Sequence, residues 1–226
     1  MQILKETLEQ LLIYLKWQKA MGLKEIYLSE DMRRMLSALN EKERFLEKIK
    51  EELKDCNRCK LYKERNHIVF GEGSANARLM LIGEAPGHDE DLQGRPFVGA
   101  AGHILDNMLN AIKLNRKDIY ITNIVKCRPP SNRNPERDEI EICKPFLLKQ
   151  IGIIKPKIIC TLGSVATQTI LETKTPITKL RGHIYDFSGI KLIPTFHPAY
   201  LLRNPYQKRR AWEDLKLIEK LYKEPF

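Results

Sequence analysis

The sequence predicts an α/β fold built on a parallel sheet covered on both faces by helices. Four apolar runs, at residues 79–82, 119–122, 158–162 and 191–196, read as buried strands, and segments of helical periodicity alternate with them. Such alternation implies right-handed crossovers, hence parallel strands between helical layers. Each run ends in polar or turn-forming residues: Gly83-Glu84, Asn123, Gly163-Ser164 and His197-Pro198. Ligands in open α/β sheets bind beyond the carboxyl ends of the strands, so Glu84, Asn123, Ser164 and His197 are expected along one rim.

Taken in order, residues 1–20 place Ile3, Leu4, Leu8, Leu11, Leu12 and Leu15 at helical spacing, an amphipathic helix ending near Gly22. Helical spacing resumes over residues 29–55, with Met35, Leu36, Leu39, Leu46, Ile49 and Leu53, and Asn40 reads as the N-cap of a restarted helix. Composition then changes to cysteines and Gly71-Glu72-Gly73-Ser74, which puts a boundary between a helical extension, residues 1–54, and the main domain, residues 55–226. The glycine-rich stretch 94–99 precedes a helix over 101–111, and its free N–H groups could receive an anion. After Asn123 come three prolines with Lys126, Arg128, Ser131 and Arg133, a stiff, positive surface loop that enters a helix carrying Cys143. Ser164 opens a helix to Leu171 whose N-terminus suits a DNA phosphate. A basic helix over 208–222 closes the chain.

With 226 residues the chain can fill one large core, or one core and an appendage. No stretch approaches the roughly 20 apolar residues of a membrane span and no signal-peptide layout opens the chain, so cytoplasm is expected. The net charge of +10 is uneven: residues 1–55 hold 11 Lys+Arg and 11 Asp+Glu, so the remainder carries the whole excess. A basic body suggests nucleic acid as partner. The neutral helices could pack on it or bind a partner protein.

Five cysteines in a chain of this kind point to a metal or cluster rather than disulfides. Cys56-x2-Cys59 is a chelating pair, while Cys127 and Cys143 stand far downstream with fifteen residues between them. A zinc ribbon ordinarily repeats the C-x2-C pair; four thiolates at irregular spacing suit an iron–sulfur cluster at least as well. Cys160, inside an apolar run, reads as a core residue. Singly, Glu84 reads as a helix-capping acid, His197 and Asn123 as loop and turn residues, Phe97 as core. What favours a site is that all but Phe97 end predicted strands beside a basic loop.

Four motifs then resemble one family. Gly83-Glu84-Ala85-Pro86-Gly87 with Glu90-Asp91, Gly94-Arg95-Pro96-Phe97-Val98-Gly99, Asn123-Ile124-Val125-Lys126-Cys127-Arg128-Pro129-Pro130, and the stretch from His197 to Pro205 are similar to the family 4 uracil-DNA glycosylases. The resemblance covers about residues 56–222. It implies a three-layer α/β/α sandwich with a central four-stranded parallel sheet, and a [4Fe-4S] cluster on Cys56, Cys59, Cys127 and Cys143. It implies hydrolysis of the deoxyuridine N-glycosidic bond in DNA; a monomer is expected. Phe97 would stack on the everted uracil and Asn123 would bond its Watson–Crick edge, with the backbone of Ile82, Gly83 and Glu84 touching the base. Glu84 would act at the water or the sugar cation, His197 at the uracil O2, and Glu90 would crowd the C5 position. Family 5 relatives lack a carboxylate at the position of Glu84, which favours family 4. Leu201, Leu202 and Arg203 read either as a wedge into the opened duplex or as ordinary helix packing. Competing readings are a non-catalytic metal-stapled DNA-binding module and a glycosylase for other deaminated bases; a zinc deaminase is disfavoured because its signature is absent.

Overall fold

The structure, a computed structural model, describes residues 14, 17, 19–22 and 30–224, with side chains from residue 41 onward in the last segment. The amphipathic helix expected over residues 1–20 lies largely outside the described residues. Two compact units divide the chain, Met1–Asn40 and Glu41–Phe226. In the first, the rings of Tyr14 and Trp17 stack with centroids 6.5 Å apart. Helix α1, Glu30–Leu53, passes through Asn40 without the predicted restart.

The second unit is built on one sheet. Its strands are β1 (Glu72–Gly73), β2 (Leu79–Gly83), β3 (Tyr120–Asn123), β4 (Ile158–Leu162), β5 (Tyr185–Phe187) and β6 (Ile190–Thr195), in spatial order β1-β3-β2-β4-β6-β5. The four predicted strands are the central ones, and all their pairings are parallel. The expected count of four is corrected to six, because β1 and β5 add antiparallel edges. Neither edge strand has an apolar run: β1 is a Glu-Gly pair, and β5 is half-buried. The hairpin from β5 to β6 turns on Ser188 and Gly189, both at positive φ (52° and 82°), which matches the right-handed twist of its strands.

The central strands are buried on both faces, so their residues alternate between two cores. Met80 and Ile82 face one core with Leu46, Ile49 and Leu53 of α1 and Phe146, Leu147 and Ile151 of the helix Arg137–Ile154. Leu79 and Leu81 face the other, against Leu105 and Leu109 of the helix Ala100–Ala111 and Leu215 and Ile218 of the helix Lys208–Lys223. Helix thus covers both faces, which gives the predicted three layers. Among the described residues, no helix is long and apolar enough to cross a membrane. Register fixes what meets at the carboxyl rim: Gly83 pairs with Asn123, and Leu162 with Thr195.

Candidate active site

Beyond that rim lies a cavity of about 410 Å³, lined by Glu84, Glu90, Phe97, Asn123, Arg133, His197 and Arg203 among others. Three strand ends bring Glu84, Asn123 and His197 to it, the convergence the sequence predicts. Ile82 is packed in the core and does not line the cavity, and Gly83 lies against Asn123 and Phe97. A Cβ at Gly83 would collide with Asn123 Oδ1 and come within 2.6 Å of Phe97 Cζ, so the floor closes only over a glycine.

Phe97 is 5% exposed and its ring stands 5.7 Å from that of His197, tilted by 34°. Its backbone is left-handed, φ 53°, which costs a non-glycine residue about 1–3 kcal/mol and persists only where surroundings enforce it. Arg116 enforces it. Its Nη1 donates to Pro96 O (3.0 Å) and Glu72 Oε1 (2.9 Å), its Nη2 to Phe97 O, and its Nε to Asp106 Oδ1 (2.6 Å). Gly102, where a Cβ would overlap the Phe97 carbonyl, lets the helix Ala100–Ala111 come that close.

Glu90 is the third residue of the short helix His88–Gln93 and joins two loops. Its Oε1 accepts from Val98 N (2.8 Å) and Gly99 N (2.9 Å), its Oε2 from Gly87 N (3.1 Å). The carboxylate therefore sits fixed at the cavity wall. Glu84 differs: among the described residues no donor or cation partners its carboxylate, and burial alone pushes its pKa from 4.5 to about 7. Asn123 is 1% exposed and its Oδ1 is a buried acceptor without a hydrogen-bond partner. Leaving such a group unpaired costs about 1–3 kcal/mol, a cost that a bound donor would remove.

His197 caps the helix Pro198–Arg203, its Nδ1 accepting from Ala199 N at 3.1 Å. That bond assigns the neutral ring's proton to Nε2, leaving a donor on the other edge. Burial, reinforced by the charge of Arg203, pushes the His197 pKa down to about 4, so the imidazole is neutral at physiological pH. Gly163 packs against it: a Cβ there would lie 2.9 Å from the His197 Cβ.

Of the expected DNA contacts, Arg133 and Arg203 line this cavity, while Ser164, expected on the same rim, does not. Ser164 is half-buried at the head of the helix Ser164–Leu171, and Ser131 is exposed in a turn. Arg128 donates from Nε to Asn132 Oδ1 at 2.7 Å and lies 3.0 Å from His88 Nδ1. Arg133 commits its fork to Glu139, at 2.7 and 2.8 Å. Leu201 is 1% exposed and packed in the core, so of the leucine pair only Leu202, 40% exposed, faces solvent. Lys126 corrects the surface-loop reading outright. It is fully buried, its ammonium donating to Thr122 Oγ1 (2.6 Å), Gln150 Oε1 (2.7 Å) and Asn123 O (2.8 Å). Three acceptors for three protons are what a buried ammonium requires. Lys126 and Arg116 are thus the site's unforeseen supports; the apolar neighbours Ile124 and Val125 were the one local sign of the first.

Cys56, Cys59, Cys127 and Cys143 come from three chain segments to one edge of the core, while Cys160 is a buried strand residue as expected. They are close enough for Cys143 and Cys59 each to raise the pKa of Cys127, and Cys56 those of Cys59 and Cys143. Burial is the larger cause and pushes the Cys127 thiol up to about 12. Arg65 Nη1 donates to Cys127 Sγ (3.4 Å) and to Cys56 O (2.6 Å). Among the described residues no three His, Cys, Asp or Glu side chains converge as ligands of a single ion. An all-thiol set with the Arg65 guanidinium on Cys127 Sγ is a soft, anionic donor set of the kind that zinc or an iron–sulfur cluster takes.

A family model described as the uracil DNA glycosylase superfamily matches residues 70–216. A type-4 uracil-DNA glycosylase of Sulfurisphaera tokodaii is 50% identical over 185 residues, 78% of this chain and 84% of the relative. One from Thermotoga maritima is 44% identical over 186 residues, 80% of this chain and 97% of the relative. A type-5 uracil-DNA glycosylase of Pyrobaculum aerophilum is more distant, 30% identical over 148 residues, 57% of this chain and 64% of the relative. Matched over most of its length by that family model and by type-4 relatives, the chain belongs to the uracil DNA glycosylase superfamily, on its type-4 branch.

Proposed function

We propose that residues 55–226 are the catalytic domain of a uracil-DNA glycosylase, which hydrolyses the N-glycosidic bond of deoxyuridine in DNA to free uracil and leave an abasic site. The observation that carries this reading is the unpartnered Asn123 Oδ1, buried beside an aromatic face and a fixed imidazole donor. A base within a duplex must be everted to be reached, at a cost of a few kcal/mol. Stacking on Phe97 offsets about 1–3 kcal/mol of that.

Uracil N3–H donates to Asn123 Oδ1, and uracil O4 accepts from the Asn123 amide nitrogen. Cytosine has an acceptor at N3 and a donor at N4, so both bonds fail, a mismatch worth roughly 10⁴-fold in rejection. Thymine differs by one methyl, which the fixed wall at Glu90 excludes by shape. As the C1′–N1 bond breaks, its electron pair leaves on uracil, and His197 Nε2–H donates to O2, where that charge gathers. The sugar becomes cationic; water adds its oxygen at C1′, and its proton passes to the Glu84 carboxylate. A neutral His197 suffices throughout.

Cys56, Cys59, Cys127 and Cys143 would hold a [4Fe-4S] cluster. When bound, such a group keeps the thiolates deprotonated and ties the three segments together, a structural role. Cys127 lies four residues after Asn123, so the segment it anchors is the one that carries the base-reading amide. The chain's own partner in this reading is uracil-containing DNA.

The test is a panel of oligonucleotides with single uracil, thymine, hypoxanthine or xanthine residues. Release of free uracil alone supports the reading. Retention of DNA with no base released means a binding module, and equal release of the purines means a broader pocket.

A further inference from the structure

We propose that Asp91 is a positioning residue that sets base selectivity: it anchors the helix His88–Gln93 to Asn66 and His67, and so holds the neighbouring Glu90 where it excludes a substituent at the pyrimidine C5. The inference rests on the glycosylase reading and extends it to a side chain that does not line the cavity. Asp91 is the one buried residue of that helix, whose sole apolar residue, Leu92, is 49% exposed. Packing of apolar side chains therefore does not hold the helix in place, and six residues are too few to be stable by backbone bonds alone.

The Asp91 carboxylate supplies the hold. It is wholly buried, and a buried carboxylate is kept only where donors satisfy it. Asn66 N donates to Oδ1 and Oδ2 (2.9 and 3.1 Å), Asn66 Nδ2 donates to Oδ2 (2.6 Å), and His67 N donates to Oδ1 (3.3 Å). His67 Nδ1 lies 2.9 Å from the Asp91 carbonyl oxygen, which can only accept. The strap that gives these donors is itself fixed to the sheet. Val69 N donates to Lys126 O (2.8 Å), and Phe70 O accepts from Thr122 Oγ1 (2.9 Å) and Gln150 Nε2 (3.0 Å).

Adjacent helical residues point about 100° apart, so Asp91 faces the strap while Glu90 faces the loop at Val98 and Gly99. Glu90 is thus gripped from one side by the loop that follows Phe97 and, through Asp91, from the other by the strap. A filter for a single methyl works by shape, and a wall released on one side yields to it.

The experiment measures kcat/KM on DNA carrying uracil, 5-fluorouracil, 5-bromouracil or thymine, each variant against wild type on each base, so that the substituent's effect on the leaving group cancels. Asp91→Ala should narrow the selectivity for uracil over 5-bromouracil and thymine by roughly tenfold, the low end of what one methyl is worth in a shaped pocket, and leave that over the small 5-fluoro group near wild type. Asp91→Asn keeps an acceptor toward both backbone N–H groups, and the Asn66 amide can turn to meet it, so selectivity should return. Asn66→Ala, at an exposed position that does not put folding at stake, removes the 2.6 Å bond and should shift selectivity the same way by less. Amide hydrogen exchange is the second readout: Val98 and Gly99 N–H should exchange faster in Asp91→Ala while those of β2 stay protected. An equal loss on all the bases, or none, makes Asp91 a residue of the fold alone and overturns the inference, as does wild-type exchange at Val98 and Gly99. A wild type that releases no uracil would sink the glycosylase reading instead, and the exchange rates would still decide whether Asp91 holds Glu90 in place.

Discussion

Glu84 imposes a pH dependence whose size follows from its surroundings. Burial without a partner lifts its pKa from 4.5 to about 7, and the proposed step needs the ionised form to accept a proton. The ionised fraction then rises from about 0.1 at pH 6 to about 0.9 at pH 8, so cleavage should quicken about tenfold across that interval. His197, with its pKa near 4, is neutral at both ends and adds no slope. The assay is single-turnover cleavage with protein in saturating excess, so that binding does not enter. Glu84→Gln should be slow and flat over the same range.

The same shift predicts a stability change. A carboxyl whose pKa is raised by folding contributes stability that is fully present below pH 4.5 and lost as pH rises through about 7. Full burial would make that loss on the order of 3 kcal/mol. Glu84 is only partly buried, and solvent screening reduces the figure to about 1–2 kcal/mol. Glu84→Gln should therefore be more stable than the wild type at pH 8 by that amount and equal to it near pH 4, read by denaturant melts. A wild-type rate flat between pH 6 and 8, or a Gln variant with the same slope, refutes the role given to Glu84.

Other perturbations test the supports of the cavity. Gly83→Ala should cost about 1–3 kcal/mol in a chemical melt and abolish most cleavage, because the added methyl meets Asn123 and Phe97. Arg116→Lys keeps the charge but not the planar fork; Phe97 should relax from its left-handed conformation, raising KM and slowing single-turnover cleavage roughly tenfold while the melt shifts little. Wild-type kinetics in that variant would show that Phe97 holds its own backbone. If the proposed cluster is held there, Cys127→Ala should lose its visible absorbance and fast cleavage together, and a colourless, fully active variant would remove the cluster from the account.

The central strands were legible because burial on both faces leaves nearly continuous apolar runs, and the ends of those runs carried Glu84, Asn123 and His197. The edge strands were not: two or three half-exposed residues leave no pattern, and a backbone turn defines them. Phe97 entered only through family resemblance, since what gives it meaning is its backbone conformation. Arg116 was invisible because its partners stand 10 to 44 residues away and meet it only in the folded chain. Lys126 was misread by the rule that charge lies outside, a rule that fails where three acceptors wait inside. Leu201 and Leu202 look alike in sequence, and only the path of one short helical turn decides which is buried.

The most direct measurement is a crystal structure with uracil bound. The base should lie against Phe97, with N3–H and O4 on the Asn123 amide, O2 within hydrogen-bond reach of His197 Nε2, and N1 turned toward Glu84. Uracil lodged elsewhere, or seated in this cavity with Asn123 turned away from it, would contradict the account.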